Sequence, residues 1–350
     1  MSDQPPRIPR QSKPAPASAA ARIFRCRSTL SPLAVDGFSP AARRRLCGDR
    51  RRLSHRLTFT RAEVIRYRAE VAERMSISGV QDKVSLRYID GDLHPCDRDG
   101  DFILKPIPGA PLPRSTDQVP ANEHLTMQIA AQIFGIETAA NALVTLADDE
   151  YAYITRRFDR RDDQRLDMED FCALSEQSPD THGRNYKYDG SYERIGHLIR
   201  RFCPAYRVEN EKLFLRVLFC YAFGNGDAHL KNFSLFTSPD GDPVLTPAYD
   251  LLATNLHLPN ETALALDLFA DDHETPAFRA RGFYSAPDFV LLAQRLGVTP
   301  TRSQRLLGRF TDATVSTQVD NLIGRSLLST EAQADYRAIV SDRRRALAQG

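Results

Sequence analysis

Alternating apolar and polar positions mark Val84–Tyr88 as a strand, followed by an Asp90-Gly91 turn. An apolar segment, Phe102–Pro106, predicts a second strand, and Glu150–Asp159 alternates before turning charged. Helical spacing takes over elsewhere. Thr60-Arg-Ala-Glu63 reads as a capping box opening a helix that runs to Arg74. Pro120 to Phe134 reads as an amphipathic helix with Leu125, Ile129 and Ile133 on one face and Gly135 as its stop. Glu211 to Phe223 is a nearly continuous apolar helix. Phe233–Phe236 and Pro243–Leu245 predict a hairpin about Asp240-Gly241, and helical patterns fill 287–348. Residues 107–119 carry Pro, Gly and Ser without periodicity and read as a mobile loop. The pattern predicts an α+β chain without internal repeats.

Chemistry concentrates where the apolar helix ends. Asn225-Gly-Asp-Ala-His-Leu-Lys-Asn232 and Thr246-Pro-Ala-Tyr-Asp250 gather carboxylates, a lysine and a carboxamide in a compact run. Phosphoryl transfer needs an Asp to accept a hydroxyl proton, an Asn five residues on for magnesium, and a downstream Asp for the metal bridging the phosphates. Asp227, Asn232 and Asp250 have that order. A loop rich in Gly, Asn and Asp is also how a buried helix stops and turns. His229 with Asp227 is a candidate metal pair, although no second His or Cys lies at ligand spacing.

Upstream, Met75-Ser-Ile-Ser-Gly-Val-Gln-Asp-Lys83 is a loop of small residues beside a strand, a candidate phosphate cradle with one glycine, Gly79. Lys105, ending its apolar strand, is either the lysine a nucleotide phosphate requires or an ordinary exposed strand-end lysine. Glu123 either pairs with Lys105 or favours the helix dipole.

Composition adds bounds. The 350 residues are 42% hydrophobic and 26% charged, with 47 basic against 45 acidic side chains, as in a globular chain of two or so domains. Basic residues cluster early, at Arg43, Arg44, Arg45, Arg50, Arg51 and Arg52; such a run either meets an acidic partner or is simply solvated. Cys26, Cys47, Cys96, Cys172, Cys203 and Cys220 are scattered with no Cys-x-x-Cys pair, so neither a disulfide framework nor a zinc ribbon is suggested. There is no membrane-length apolar run and no signal-like apolar core in the Pro- and Ala-rich start, so the expected location is the cytoplasm. Residues 1–22 read as a disordered tail.

Taken together, Ser76-Ile-Ser-Gly-Val-Gln-Asp-Lys83, Phe102-Ile-Leu-Lys105, Asn122-Glu123, Arg157-Phe-Asp-Arg160, Glu169-Asp-Phe171, the Asn225–Asn232 run and Ala248-Tyr-Asp250 resemble the HipA-like serine/threonine kinases, toxins of bacterial toxin–antitoxin modules. The resemblance runs from about Cys26 to the C-terminus. It implies a two-lobed, protein-kinase-like fold, with residues 23–155 as N-lobe and 156–350 as mainly helical C-lobe, using ATP and Mg2+. By the same resemblance Asp227 would be the catalytic base, with His229 and Lys231 beside it. Asn232 and Asp250 would hold magnesium, and Lys105 would contact the phosphates. Ser76, Ile77, Ser78 and Gly79 would form the phosphate loop, with Ser76 and Ser78 as autophosphorylation sites. Arg156 and Phe158 would present backbone to adenine, with Asp159 near the ribose.

Little chain precedes the helix at Thr60, where long family members carry a small β-rich domain, and the Ser-Ile-Ser loop has two serines. Both features resemble the short branch, HipT, in which that domain is a separate small HipS-like protein and a HipB-like helix-turn-helix antitoxin binds DNA. The resemblance implies an aminoacyl-tRNA synthetase as substrate, tryptophanyl in the short branch. Two other readings stay open: an idle scaffold that binds an antitoxin repressor for operon autoregulation, and a small-molecule kinase of the same fold. No membrane partner is expected.

Overall fold

The computed structural model describes residues 24–48, 52–74, 83–161 and 164–349. Ser76, Ile77, Ser78 and Gly79 therefore lie outside the described residues, as do Arg50, Arg51 and the tail 1–22. Helix α1 (Pro40–Cys47) is capped by Ser39 and carries Arg43–Arg45; Arg45 donates to the Thr138 carbonyl at 3.0 Å. Helix α2 (Arg61–Arg74) opens on the expected capping box, the Thr60 amide reaching Glu63 Oε2 at 2.7 Å and the Glu63 amide reaching Thr60 Oγ1 at 3.2 Å.

Strands β1 (Val84–Ile89), β2 (Asp92–Pro95) and β3 (Phe102–Lys105) follow. Asp90 and Gly91 both have positive φ (50° and 106°), the backbone of a tight hairpin turn. Next come helix α3 (Val119–Gln132) and strands β4 (Asn141–Thr145) and β5 (Tyr151–Arg156). The five strands form one antiparallel sheet in the order β2-β1-β3-β5-β4. Strand alternation decides which face each side chain serves. Phe102, Leu104, Ala142, Val144, Ala152 and Ile154 enter a core with Leu46, Leu57 and Val64. The opposite parity sends Leu143 and Tyr153 into a second, larger core with α3. Lys105, paired in register with Tyr153, lies on that α3 side.

Beyond the sheet come strand β6 (Met168–Asp170), helices α4 (Tyr192–Phe202) and α5 (Tyr206–Ala222), and strands β7 (Ser234–Thr237) and β8 (Pro243–Leu245). Strands β6, β7 and β8 form a small antiparallel sheet in that order. Helices α6 (Ala286–Arg295), α7 (Pro300–Thr311), α8 (Ala313–Ile323) and α9 (Thr330–Leu347) complete the larger core. Among the described residues no helix is long and apolar enough to cross a membrane.

Two expectations need correction, and one strand carries no pattern that predicts it. Helix α3 is not amphipathic, because it is wedged between sheet and helices and its polar residues Asn122, Glu123, His124, Thr126 and Gln128 are buried too. Each has a partner: His124 meets the Ser28 carbonyl at 2.8 Å, Thr126 the Tyr336 hydroxyl at 2.9 Å, and Gln128 donates to Asn141 at 2.8 Å. The apolar helix delivering the site begins at Tyr206 rather than Glu211; Glu209, in its first turn, accepts the Leu245 amide at 2.9 Å. Strand β4 was not expected at all, since it is buried on both faces and shows no alternation.

Candidate active site

Helix α5 ends at Ala222, and Gly224, at φ 64°, turns the chain into the Asn225–Asn232 loop. The loop is held from beneath. The Gly226 amide donates to Thr254 Oγ1 at 2.7 Å, and that hydroxyl donates to the Glu261 carboxylate. Asn225 joins two of the expected site residues: its Oδ1 accepts the Asp227 amide at 3.2 Å, and its Nδ2 donates to the Asp250 carbonyl at 3.5 Å. Leu230–Asn232 is a single 3-10 turn in which Asn232 Oδ1 accepts the His229 amide at 3.0 Å. Asn232 Nδ2 lies 3.4 Å from Asp250 Oδ2.

Lys105 is buried, not an exposed strand end. Its Nζ donates to Glu123 Oε1 at 2.7 Å and to Asp250 Oδ1, and lies 5.6 Å from the centroid of the Tyr153 ring. Burial opposes the ammonium charge, but Asp250 and Glu123 more than offset it, so the Lys105 pKa rises. Burial, with Asp250 nearby, pushes Glu123 up to about 7 against the pull of Lys105. Asp250 moves the other way: burial raises it, but Lys105 outweighs this and leaves it lowered. Asp250 has φ 55°, and its carboxylate faces Lys105 through Oδ1 and Asn232 through Oδ2. One lysine thus faces two carboxyl groups, of which Asp250 is ionised and Glu123 sits near its midpoint at pH 7.

Burial pushes His229 down to about 4 despite the neighbouring Asp227 carboxylate, 3.9 Å away, so its imidazole is neutral at pH 7. Lys231 does not face Asp227; it pairs with Asp170 at 2.8 Å, beside the Tyr186 ring. Phe158 packs against Tyr249 and Phe236 with centroids 5.7 and 6.3 Å apart. The Arg156 amide donates to the Ala140 carbonyl at 2.7 Å. Asp159 is gripped by Arg157 through Nε at 2.9 Å and Nη2 at 2.5 Å, so its carboxylate already has a cationic partner. Lys105, Asn232, Asp250 and Asp227 therefore converge, whereas Arg156, Phe158 and Asp159 belong to the segment leaving β5.

Sequence reasoning missed Tyr188, whose hydroxyl donates to Asp227 Oδ1 at 2.6 Å. It also missed Thr254 and the structural use of Asn225. Tyr188 and Thr254 carry no local signal, since each acts on a residue far along the chain. Asp170 lay inside a quoted motif without a role.

Among the described residues no cluster of three His, Cys, Asp or Glu side chains is placed to hold a metal. Asn232 and Asp250 instead suit a cation that shares its shell with phosphate oxygens and water, as magnesium does.

The fold is mixed α/β, and the chain belongs to the HipA-like family: the model of the HipA-like C-terminal domain matches residues 75–318. A putative kinase of Haemophilus influenzae is 31% identical over 293 residues, covering 78% of this chain and 83% of its own. The putative kinase Y4mE of Sinorhizobium fredii is 34% identical over 190 residues, which span 52% of this chain and 43% of that one. Among solved structures, HipA of Shewanella oneidensis MR-1, from a toxin–antitoxin complex with HipB and operator DNA, superposes with a TM-score of 0.59 at 23% identity. That likeness covers 83% of this chain and 71% of the HipA chain. The Helicobacter pylori proinflammatory kinase CtkA superposes with a TM-score of 0.50 at 13% identity, over 77% and 90% of the two chains. Both likenesses concern the fold.

Proposed function

We propose that the protein is an ATP- and magnesium-dependent protein serine/threonine kinase that serves as the toxin of a toxin–antitoxin module. The observation that carries this reading is the convergence of Lys105, paired with Glu123, on Asp250, with Asn232 beside it and Asp227 joined to the same loop through Asn225. A seryl or threonyl hydroxyl attacks the γ-phosphorus; the new O–P bond forms as the bond to the bridging oxygen breaks, ADP leaves, and the proton passes to Asp227. Lys105 neutralises charge on the phosphates. Asn232 and Asp250 would hold the magnesium ion, which when bound supplies further charge neutralisation. Residues 23–155 and 156–350 act as the two lobes, with ATP between them.

In this reading the protein is of the short HipT branch, a reading supported by the two serines of the Ser76-Ile-Ser78 run. In this reading its substrate is an aminoacyl-tRNA synthetase, tryptophanyl by resemblance, and phosphorylation of a synthetase serine inhibits translation. Its partners are a small HipS-like protein and a HipB-like antitoxin, and Ser76 and Ser78 are the autophosphorylated positions that tune ATP binding. The HipB–DNA complex that contains the Shewanella HipA supports an antitoxin partner.

The test is transfer from radiolabelled ATP to tryptophanyl-tRNA synthetase and to the protein itself, with Asp227→Asn as control. Wild type should label its substrate and arrest bacterial growth, and Asp227→Asn should do neither while folding normally. An Asp227→Asn protein as active as wild type would refute the mechanism. Labelling of the protein but not the synthetase would keep the kinase and discard that substrate.

A further inference from the structure

Tyr188 touches the proposed base, yet no sequence motif assigns it a role. Its hydroxyl lies 2.6 Å from Asp227 Oδ1, the length of a charge-assisted O–H···O bond. The ring is braced rather than loose: it stands edge-on to His229 at 5.2 Å and 78°, and the Lys187 ammonium lies 4.8 Å from its centroid. The turn that carries it, Tyr186–Tyr188, closes through the Tyr188 amide and the Asn185 carbonyl at 2.8 Å. Gln177 holds the next residue through the Asp189 carbonyl, also at 2.8 Å. Asp227 Oδ2 has no hydrogen-bond partner among the described residues, and the side chain is about a third exposed, at 35%.

The geometry points to Tyr188 as a positioning residue for phosphoryl transfer, fixing Asp227 Oδ1 so that Oδ2 is left to face the acceptor hydroxyl; this rests on the kinase reading of Asp227. A carboxylate rotates readily about its last torsion, which is broad and roughly two-fold. An unheld Asp227 would sample orientations in which neither oxygen meets the acceptor proton. Because attack requires near-contact alignment, a single donor that removes this freedom changes the rate of transfer more than the affinity for ATP.

Tyr188→Phe keeps the ring and its packing on His229 but deletes the donor. With dephosphorylated casein as acceptor, kcat should fall roughly ten- to a hundred-fold while KM for ATP stays within about two-fold. Unchanged kcat would overturn the role, and a raised kcat would identify Tyr188 instead as a plug in the acceptor's place, equally against the proposal. A second arm needs no catalysis. Asp227, His229, Lys187 and Glu261 are the charged and titratable groups around the phenol. Burial and the bond to Asp227 hold the phenol protonated beyond its usual range. In protein labelled with 13C at the tyrosine ring, the Tyr188 resonance, identified by its absence from Tyr188→Phe, should titrate at lower pH in Asp227→Asn than in wild type. Identical titrations would overturn the hydrogen bond. A wild type that transfers phosphate to neither casein, tryptophanyl-tRNA synthetase nor itself, yet shows that shift, would overturn the kinase reading and the catalytic role while keeping the contact.

Discussion

Replacing Lys105 by methionine tests the charge balance at the heart of the site without requiring catalysis. Methionine fills much of the same volume, but Glu123 (2% exposed) and Asp250 lose their shared cation. Breaking a buried pair by removing one partner costs about 3–5 kcal/mol when the orphaned charge stays ionised. The cost depends on pH, and the carboxylates set its direction. Glu123, already raised to about 7 by burial, loses the pull of Lys105 and rises further in the variant. A carboxyl raised in the folded state contributes stability below its unfolded pKa, near 4.5, and loses it as pH climbs through the folded value. Asp250 is depressed by Lys105 in wild type; its contribution is present above the unfolded value of 3.8, and the variant forfeits it. Lys105 itself is raised, so its own contribution is intact throughout this window and fades only at alkaline pH. The two carboxyls therefore act in one sense while Lys105 adds a constant: between pH 5 and 8 the gap between wild type and Lys105→Met widens as pH rises. Urea unfolding should show a gap of about 1 kcal/mol near pH 5, where both carboxyls of the variant take up protons, and about 3–5 kcal/mol near pH 8. The same gap at both pH values, or a narrower one at pH 8, would refute the argument.

Asn122→Ala should cost about 2–4 kcal/mol in urea unfolding, because it orphans the buried Ala253 amide and carbonyl that Asn122 holds at 3.0 and 2.9 Å. Gly226→Ala should lower phosphoryl transfer and destabilise by about 1–3 kcal/mol, since its Cβ would meet the Thr262 carbonyl at 2.4 Å and Glu261 Oε2 at 2.7 Å. Unaltered activity and stability in that variant would mean the loop relaxes freely.

What the sequence revealed follows the kind of signal each element carries. Strands β1 and β5, the capping box before α2 and the β7–β8 hairpin were legible, because alternation, caps and turn residues are local. Strand β4 was illegible: Asn141–Thr145 is buried on both sides, and burial without alternation looks like any short apolar run. The polar residues of α3 misled in the opposite direction, since Asn122, Glu123 and Gln128 signal solvent unless their distant partners are known. In the site, residue type and spacing singled out the Asn225–Asn232 run, and the structure sets its Asn232 beside Asp250. Lys105 with Glu123 was one of two open readings, and only the tertiary contact decides between them. The pairing of Lys231 with Asp170, and of Tyr188 with Asp227, spans long stretches of chain and leaves no trace in local pattern.

Helix α3 has a consequence for how the site can move. Glu123 grips the lysine of the sheet, while the preceding residue, Asn122, grips the backbone just past Asp250. Two neighbouring positions on one buried rod therefore key both halves of the site to the same reference. A slide or roll of α3 could not shift Lys105 without also shifting the approach to Asp250, so the Lys105 and Asp250 sides of the cluster would lose their alignment together rather than in turn. A partner able to lever this helix would thus behave as a single switch for the whole centre, and graded, one-sided tuning would have to come from elements outside it.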